Sequence, residues 1–290
     1  MNAINLISGG TPEHRVEDSL IVSGLSVAYG KRVVLRNVAA EISRGQAVGV
    51  VGPNGGGKST LLKAIAGIIP RLSGQVMLFG RPLSEQRSMV AFMPQREIVD
   101  WEFPVTARDV VMMGRYPRMR WPHRAGTHDH EIVAQMLDRV GMQEYGDRQI
   151  GALSGGQQQR VFVARALAQE ADVLLLDEPM TGIDASTQEV VMEIIEEQRQ
   201  QGKIVLLATH DLFAASCACD CLCCVGERAV SFGPTELMYN EETLTEVFGG
   251  PVIILGSQGE QPPSHGLMPG HGVHHEHGHE HPHTHDAHIH

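Results

Sequence analysis

The chain of 290 residues is 42% hydrophobic, which suffices for one large α/β domain or two small ones with a substantial core. Its formal net charge of −11 argues against a nucleic-acid-binding surface, because phosphate backbones are bound by clustered lysine and arginine. No stretch approaches the roughly 18 uninterrupted apolar residues of a membrane span, and the polar N-terminus lacks the apolar core of a secretory signal, so the sequence predicts a cytosolic protein.

Patterning divides the chain into three regions. Residues 1–18 are polar and predict a flexible leader. Residues 19–255 carry continuous apolar patterns and predict one folded domain. Residues 256–290 are rich in His, Gly and Pro, so we expect a disordered tail.

The folded region begins with two strand patterns and then alternates strands with helices. Strands are predicted over 20–29, 33–42, 47–51, 173–176 and 204–208, and helices over 60–69, 157–170 and 187–201. The last three strands are continuous apolar runs, which are typical of parallel strands covered on both faces. This alternation predicts an α/β fold with a doubly wound parallel core.

A glycine-rich loop follows the strand at 47–51. Its residues match the phosphate-binding pattern G-x-x-x-x-G-K-[ST]: Gly52, Pro53, Asn54, Gly55, Gly56, Gly57, Lys58, Ser59 and Thr60. We expect backbone N–H groups and the next helix N-terminus to face the β-phosphate of ATP. Lys58 would bind the β- and γ-phosphates, and Ser59 would bind Mg²⁺. The alternative, a plain glycine turn before a helix, leaves the lysine and the serine unexplained.

Two acidic residues follow the strand at 173–176, in the sequence Leu-Leu-Leu-Asp-Glu-Pro. A carboxylate at the C-terminal edge of such a strand lies on the ligand side of an open α/β sheet. We expect Asp177 to be the Mg²⁺ partner, through water, and Glu178 to activate the attacking water as general base. An Asp-Glu-Pro sequence alone is more often a helix start, but its position downstream of a phosphate-binding loop favours catalysis.

Residues 153–157 read Leu-Ser-Gly-Gly-Gln, the signature sequence of ATP-binding-cassette (ABC) ATPases. Together with the phosphate-binding loop, this signature makes residues 20–250 resemble that family. The resemblance implies an ABC-type P-loop ATPase with a RecA-like parallel-sheet core, an antiparallel β subdomain and a helical subdomain at about 96–158. It also implies ATP and Mg²⁺ as cofactors, and hydrolysis of ATP to ADP and phosphate as the activity.

The resemblance implies roles for individual residues. Tyr29 matches the aromatic residue that stacks on adenine, and Gln95 matches the glutamine that contacts Mg²⁺ and senses the membrane partner. Asp184 matches the loop that joins two sites across a dimer, and His210 matches the switch histidine. The signature residues that close on the γ-phosphate of the opposite subunit are matched by Ser154, Gly155, Gly156 and Gln157. The implied catalytic set is Lys58, Gln95, Glu178 and His210.

Elementary chemistry supports two of these assignments. Ser154 and two glycines precede a predicted helix, whose N-terminus forms a second anion cradle. One chain cannot easily bring both cradles to one ATP, whereas two chains arranged head to tail can, so a homodimer is predicted. His210 follows an apolar strand and precedes Asp211, which favours catalysis over an ordinary capping or core histidine.

The segment that precedes the signature indicates what the ATPase drives. Trp101, Phe103, Tyr116 and the pair Met112 and Met113 lie in a stretch that closely resembles the ATPase subunits of bacterial zinc, manganese and iron importers. ATPase subunits of siderophore and cobalamin importers share part of it and remain an alternative. Exposed aromatic residues beside methionines would suit a docking groove for a partner helix. The alternative is ordinary packing within a small helical unit.

This second resemblance implies separate partner chains. The ATPase would lie at the cytoplasmic face of the plasma membrane, bound to integral membrane permease subunits, and an extracytoplasmic solute-binding protein would deliver the ion. Import is favoured over export because no membrane domain is fused to the chain, as it often is in exporters. Two other classes stay open: a soluble ABC ATPase acting on DNA or the ribosome, and a metal-storage protein that hydrolyses nucleotide.

Histidines and cysteines are each clustered. Eleven of the sixteen histidines lie in residues 265–290, and neutral imidazole binds Zn²⁺ and other transition metals, so a metal-binding tail is predicted. Its candidate ligands are His274, His275, His277, His279, His281, His283 and His285. A purification tag or a mere solubilising tail is the alternative. The five cysteines lie between residues 217 and 224, where a buried strand at 221–225 is favoured over a soft-metal or redox site.

Overall fold

The computed structural model of the chain describes residues 17–95, 103–119, 124–226, 230–252 and 254. In chain order its strands are β1 (Ser19–Tyr29), β2 (Arg32–Ser43), β3 (Ala47–Val51), β4 (Ser73–Leu78), β5 (Arg81–Pro82), β6 (Val90–Met93), β7 (Val173–Asp177), β8 (Ile204–Ala208), β9 (Cys221–Val225) and β10 (Val230–Pro234). Its α-helices are α1 (Lys58–Ile65), α2 (Ala107–Met113), α3 (Thr127–Arg139), α4 (Gly155–Ala168), α5 (Ala185–Gln200), α6 (Leu212–Ala218), α7 (Thr235–Met238) and α8 (Glu241–Phe248). Short 3₁₀ helices occupy Leu83–Glu85, Arg87–Met89, Tyr116–Arg118, Gln143–Tyr145 and Ile150–Ala152.

Two sheets organise these strands. The first has four antiparallel strands in the order β2-β1-β4-β5, and Leu20 of β1 pairs with Ile42 on one side and Leu78 on the other. The second has six strands in the order β10-β9-β3-β8-β7-β6 and is parallel except for the antiparallel pair β9 and β10. The predicted α/β fold, with a parallel-sheet core and a separate antiparallel sheet, is therefore confirmed.

The parallel sheet separates two apolar layers. Strands β3, β7 and β8 are buried throughout, and successive side chains along a strand point to opposite faces. On one face, Leu175 and Leu206 pack with α1 and the antiparallel sheet. On the other, Leu174 and Leu207 pack with α4 and α5. Burial on both faces explains why these strands are continuous apolar runs in the sequence.

Helix caps shift three helices from their predicted positions. Helix α1 begins at Lys58, and α4 and α5 likewise begin two residues before the predicted starts. Ser154 and Asp184 are the N-caps of α4 and α5, and each side chain accepts a hydrogen bond from the backbone N–H three residues further on. Helix α1 ends at Ile65, before the predicted residue 69, because Gly67 adopts a left-handed φ of 69°.

The cysteine-rich strand is part of the core. Cys221–Val225 forms β9, which is buried along its whole length. Burial raises the pKa of the Cys219 thiol to about 12 and that of Cys223 to about 12, so these side chains stay protonated and apolar. Across the described residues, no group of three or more His, Cys, Asp and Glu side chains is arranged to hold a metal ion. The packing interpretation is favoured over the soft-metal one.

Several predicted segments fall outside the described part of the chain. These are residues 1–16 of the predicted leader, Trp101, and the histidine-rich tail with its candidate ligands between residues 274 and 285. The described residues belong to one compact unit, and the second unit, 256–290, lies entirely outside them. Within the parts of the chain that are described, no helix combines the length and apolar character needed to cross a lipid bilayer.

Candidate functional site

The phosphate-binding loop connects the end of β3 at Val51 to the start of α1 at Lys58. Gly52 lies so close to β9 that a Cβ atom there would be 2.0 Å from the carbonyl oxygen of Val225. Gly57, the N-cap of α1, has a φ of 113°, which favours glycine over every other residue. These two glycines let the loop pass along the neighbouring strand and turn directly into the helix.

Lys58 is folded back onto its own loop. Its Nζ donates hydrogen bonds to the carbonyl oxygens of Gly52, at 2.9 Å, and Pro53, at 3.2 Å. Burial lowers the pKa of Lys58, and the nearby carboxylates of Glu178 and Asp177 act in the opposite direction. A buried cation beside a loop of backbone N–H groups is suited to bind a triphosphate, whose oxygens would replace the two carbonyl acceptors.

Asp177 is a buried carboxylate with one unsatisfied oxygen. The Ser59 hydroxyl donates to its Oδ1 at 2.8 Å, whereas its Oδ2 is buried and has no hydrogen-bond partner among the described residues. Burial raises the pKa of Asp177, although the Ser59 hydrogen bond acts against this. A hydroxyl and a carboxylate in contact, with a free carboxylate oxygen, fit the oxygen-ligand preference of Mg²⁺. The predicted magnesium ligands Ser59 and Asp177 are therefore adjacent.

Glu178 has an uncommon backbone conformation, and its carboxylate accepts two hydrogen bonds. Its φ is 51°, a left-handed conformation that is uncommon for a residue other than glycine. Its N–H donates to the Ala208 carbonyl at 3.0 Å, which ties it to the end of β8. Its Oε2 accepts hydrogen bonds from Gln95 Nε2 and from the Thr181 hydroxyl, both at 3.1 Å. Glu178 and Gln95, which are far apart in sequence, thus meet at one edge of the sheet.

A cavity of about 530 Å³ brings nine of the predicted ATP-site residues together. Its lining residues are Asn54, Gly55, Gly57, Lys58, Ser59, Thr60, Gln95, Glu178, Thr181 and His210. All four members of the predicted catalytic set are among them. Thr181 was not predicted as a site residue. The sequence feature that could have indicated it is a hydroxyl side chain three residues after Glu178, just beyond the Asp-Glu-Pro sequence.

His210 lies at the rim of this cavity. It follows β8 directly and is exposed, so it is not a core histidine. The N-cap of α6 is Asp211, whose Oδ1 accepts from the Ala214 N–H at 2.9 Å. Capping is therefore performed by the neighbouring residue, and the His210 side chain remains available to the cavity.

The signature residues form a second cluster, which does not line that cavity. The Ser154 N–H donates to Gln157 Oε1 at 2.9 Å in a capping box at the start of α4. A Cβ atom on Gly156 would lie 3.2 Å from Asp184 Oδ2, so the signature is packed against the N-cap of α5. Hydrogen bonds from Ser186 and Thr187 lower the pKa of Asp184 to about 2. Gly155, like the others, is absent from the cavity lining.

Tyr29, the predicted adenine-stacking residue, ends β1 and is not among the residues that line the cavity. Its side chain is 52% exposed. Pro53, Gly52 and Gly56 belong to the loop but likewise do not line the cavity. An exposed ring at the end of a strand is free to stack on a base, so the predicted role of Tyr29 remains a prediction.

The segment before the signature combines exposed aromatic residues with a buried arginine. Phe103 is 56% exposed and Tyr116 is 58% exposed. Met112, which the sequence suggested as part of an exposed docking groove, is instead 9% exposed and packs in the core, because it lies on the inner face of α2. Arg115 follows α2 and is 5% exposed in its side chain.

Comparisons with known proteins agree with this geometry. The pattern of the ABC transporter family matches residues 35–181. The manganese transport system ATP-binding protein MntB of Bacillus subtilis is 43% identical over 234 residues, covering 81% of this chain and 94% of that protein. The zinc transport system ATP-binding protein TroB of Treponema pallidum is 42% identical over 229 residues, covering 79% of this chain and 86% of that protein.

A solved structure extends the likeness to three dimensions. An inward-facing transporter described as of the metal-chelate ABC type is 27% identical, with a TM-score of 0.71, over 81% of this chain and 90% of that chain. The phosphate-binding loop, the Asp177–Glu178 pair and the signature thus occur in a chain whose sequence and fold both match ATP-binding cassettes. The chain belongs to the ABC transporter family.

Proposed function

We propose that this chain is the ATP-hydrolysing subunit of an importer for divalent metal ions, namely manganese, zinc or iron. The observation that carries the proposal is the cavity lined by Lys58, Ser59, Gln95, Glu178 and His210, in a chain whose relatives at 42% and 43% identity are named for zinc and manganese transport. These relatives support the metal-ion interpretation over the siderophore or cobalamin alternative.

The residues of the cavity divide the chemistry of hydrolysis between them. The loop N–H groups and Lys58 bind the β- and γ-phosphates and draw charge away from the reacting phosphorus. Ser59, Asp177 and Gln95 would hold Mg²⁺. When bound, this ion would neutralise part of the negative charge of the phosphates. Glu178 accepts a proton from the attacking water, and His210 contacts the γ-phosphate from the rim of the cavity.

A second copy of the chain completes the site in this proposal. Ser154 and Gly156 form an anion-binding helix N-terminus, yet neither residue lines the cavity of its own chain. In a head-to-tail homodimer, the signature of one chain covers the ATP held by the Lys58 loop of the other. Two cradles then share one nucleotide, and ATP stabilises the closed dimer by mass action.

The membrane partners are proposed on the same basis. Exposed Phe103 and Tyr116 lie within the segment at about 96–158 that, by resemblance to the family, is the helical subdomain that contacts permease subunits. Docking there would hold the chain at the cytoplasmic face of the plasma membrane, with a separate extracytoplasmic protein delivering the ion. Two exposed aromatic side chains supply apolar area at low conformational cost, and the Tyr116 hydroxyl adds a hydrogen-bonding group, which suits an interface.

Metal uptake by intact cells tests this function. Cells that lack the chain should lose uptake of at least one of manganese, zinc and iron, and the wild-type chain should restore it. Lys58→Ala should fail to restore uptake because the triphosphate loses its buried cation. Lys31→Ala, which removes an exposed lysine outside the loop, is the matched control and should restore uptake. Undiminished uptake of all three ions in cells without the chain would refute metal import.

The histidine-rich tail is proposed as a separate metal-binding segment. Its support is compositional: alternating histidines with nearby carboxylates between residues 274 and 286 provide nitrogen and oxygen ligands for Zn²⁺ or another transition metal. The tail lies outside the ABC pattern at residues 35–181, so no role of the family transfers to it.

A further inference from the structure

The carboxylate of Glu178 is held at one of its two oxygens. Gln95 Nε2 and Thr181 Oγ1 both donate to Oε2, each at 3.1 Å. Among the described residues, no hydrogen bond reaches Oε1. Two donors that converge on one carboxylate oxygen restrict rotation of the group, because turning it would break both bonds together.

Thr181 is itself held in place by the backbone of the turn. Its N–H donates to the Glu178 carbonyl at 3.3 Å, while the Glu178 N–H is bonded to Ala208 on β8. The intervening carbonyl of Pro179 accepts a hydrogen bond at 2.5 Å from Gln159, a buried side chain of the signature helix α4. The turn is therefore anchored to the sheet on one side and to α4 on the other, so the Thr181 hydroxyl is preorganised toward Glu178.

We propose that Thr181 is a positioning residue for ATP hydrolysis. Its hydroxyl, with the Gln95 amide, holds Oε2 of Glu178 so that Oε1 faces the attacking water. One proton of that water passes to Oε1, the water oxygen bonds the γ-phosphorus, and the bond from phosphorus to the β–γ bridging oxygen breaks to release ADP and phosphate. This inference rests on the proposed role of Glu178 as general base.

Steady-state ATP hydrolysis by Thr181 variants tests the inference. Thr181→Val keeps the shape of the side chain but deletes the donor, and it should lower kcat about 10-fold with KM changed by less than about 2-fold. Thr181→Ser retains a hydroxyl and should keep kcat within about 3-fold of the wild type. A lower kcat at a nearly unchanged KM, restored by serine, would distinguish a positioning role of Thr181 from a general loss of folded protein.

A matched control removes a hydroxyl elsewhere. Thr235 Oγ1 donates to the Cys219 carbonyl at 2.6 Å, away from the cavity. Thr235→Val should keep the wild-type kcat even where it lowers the melting temperature. If Thr181→Val also keeps the wild-type kcat, or if Thr181→Ser is as slow as valine, Thr181 has no positioning role. Should the valine variant not fold, Thr181→Ala replaces it, with the same expected loss of kcat.

A variant of Glu178 separately tests its role as general base. Glu178→Gln should bind ATP but hydrolyse it at least about 100-fold more slowly than the wild type. If Glu178→Gln remains fully active, the role of Glu178 fails and the inference on Thr181 fails with it. If Glu178→Gln is inactive and Thr181→Val is unimpaired, only the inference on Thr181 is overturned.

Discussion

At the scale of single residues, two ionisable side chains of the site are buried without full hydrogen-bond compensation. Asp177 Oδ2 is buried without a hydrogen bond among the described residues, and Lys58 is satisfied only by carbonyls of its own loop. A buried charge without full compensation lowers stability. Binding of the nucleotide and its Mg²⁺ would relieve both costs, so the site is arranged for its ligands rather than for the stability of the free chain.

Asp177→Asn should therefore raise the stability of the free protein and lower its ATPase activity. Burial raises the pKa of Asp177, so the carboxyl group favours folding when protonated and opposes it as pH rises through the raised pKa. In the free protein at pH 7, the asparagine variant should have a higher melting temperature than the wild type, by calorimetry. Its kcat should fall about 100-fold or more because the proposed Mg²⁺ ligand is lost.

The pH dependence provides the control for this variant. Below the ordinary pKa of aspartate, the wild-type carboxyl is protonated whether the chain is folded or unfolded, and the difference in melting temperature should shrink. A melting temperature for Asp177→Asn below that of the wild type at pH 7 would contradict the assigned cost of burying this carboxylate.

Local motifs predicted most residues that line the cavity, but not the hydrogen bonds and backbone conformations that fix their positions. Lys58, Gln95, Glu178 and His210 each follow or occupy a short sequence pattern, and all four line the same cavity. The hydrogen bond from Thr181 to Glu178 was not predicted, and it spans a turn that begins with a left-handed φ of 51° at Glu178. A backbone conformation of this kind is set by surrounding contacts, which no local pattern records.

At the scale of elements, Arg115 joins three helices. Its Nε donates to Asp129 Oδ1 at 3.0 Å, at the start of α3. Its Nη1 donates to the Ala168 carbonyl at 2.7 Å, at the end of α4, and to Glu170 Oε2 at 2.6 Å. A cation at the C-terminal end of α4 also complements the helix dipole. This residue fixes the end of α2, next to exposed Tyr116, onto the signature helix.

Arg115→Met should destabilise the fold. Methionine keeps much of the side-chain volume but leaves two carboxylates and a carbonyl without their donor. Because Glu170 is half exposed, we expect a loss of about 2 kcal/mol in the free energy of unfolding, measured by urea denaturation. Arg108→Met is the matched control, since the Arg108–Asp147 pair is exposed and should contribute less than about 1 kcal/mol. Equal effects of the two variants would contradict the joining role of Arg115.

Strands buried on both faces could be predicted from the sequence, whereas the short strand β6 beside them could not. The bounds 47–51 and 204–208 match β3 and β8 because uninterrupted apolar runs are visible in sequence. Strand β6, Val90–Met93, has only four residues and shows no period long enough to recognise. The strand order β10-β9-β3-β8-β7-β6 also could not be predicted, because it depends on pairing between segments far apart in the chain.

At the scale of the whole molecule, the folded unit and the histidine-rich tail should act separately. Removing residues 260–290 should leave kcat for ATP within about 2-fold of the full chain, because every residue that lines the cavity lies between Asn54 and His210. In equilibrium dialysis, the full chain should bind at least one more Zn²⁺ than the truncated chain. Equal zinc binding would exclude the tail as a metal site, and loss of ATPase activity would favour a metal-storage protein.

In the proposed assembly, two copies of the chain share each ATP. Sedimentation velocity of Glu178→Gln tests this most directly, because slow hydrolysis preserves the closed state. With ATP and Mg²⁺ this variant should sediment as a dimer, and without nucleotide as a monomer. Adding Ser154→Arg, which places a bulky side chain at the signature, should return it to the monomer even with ATP. A Glu178→Gln variant that binds ATP and Mg²⁺ yet stays monomeric would contradict the shared site.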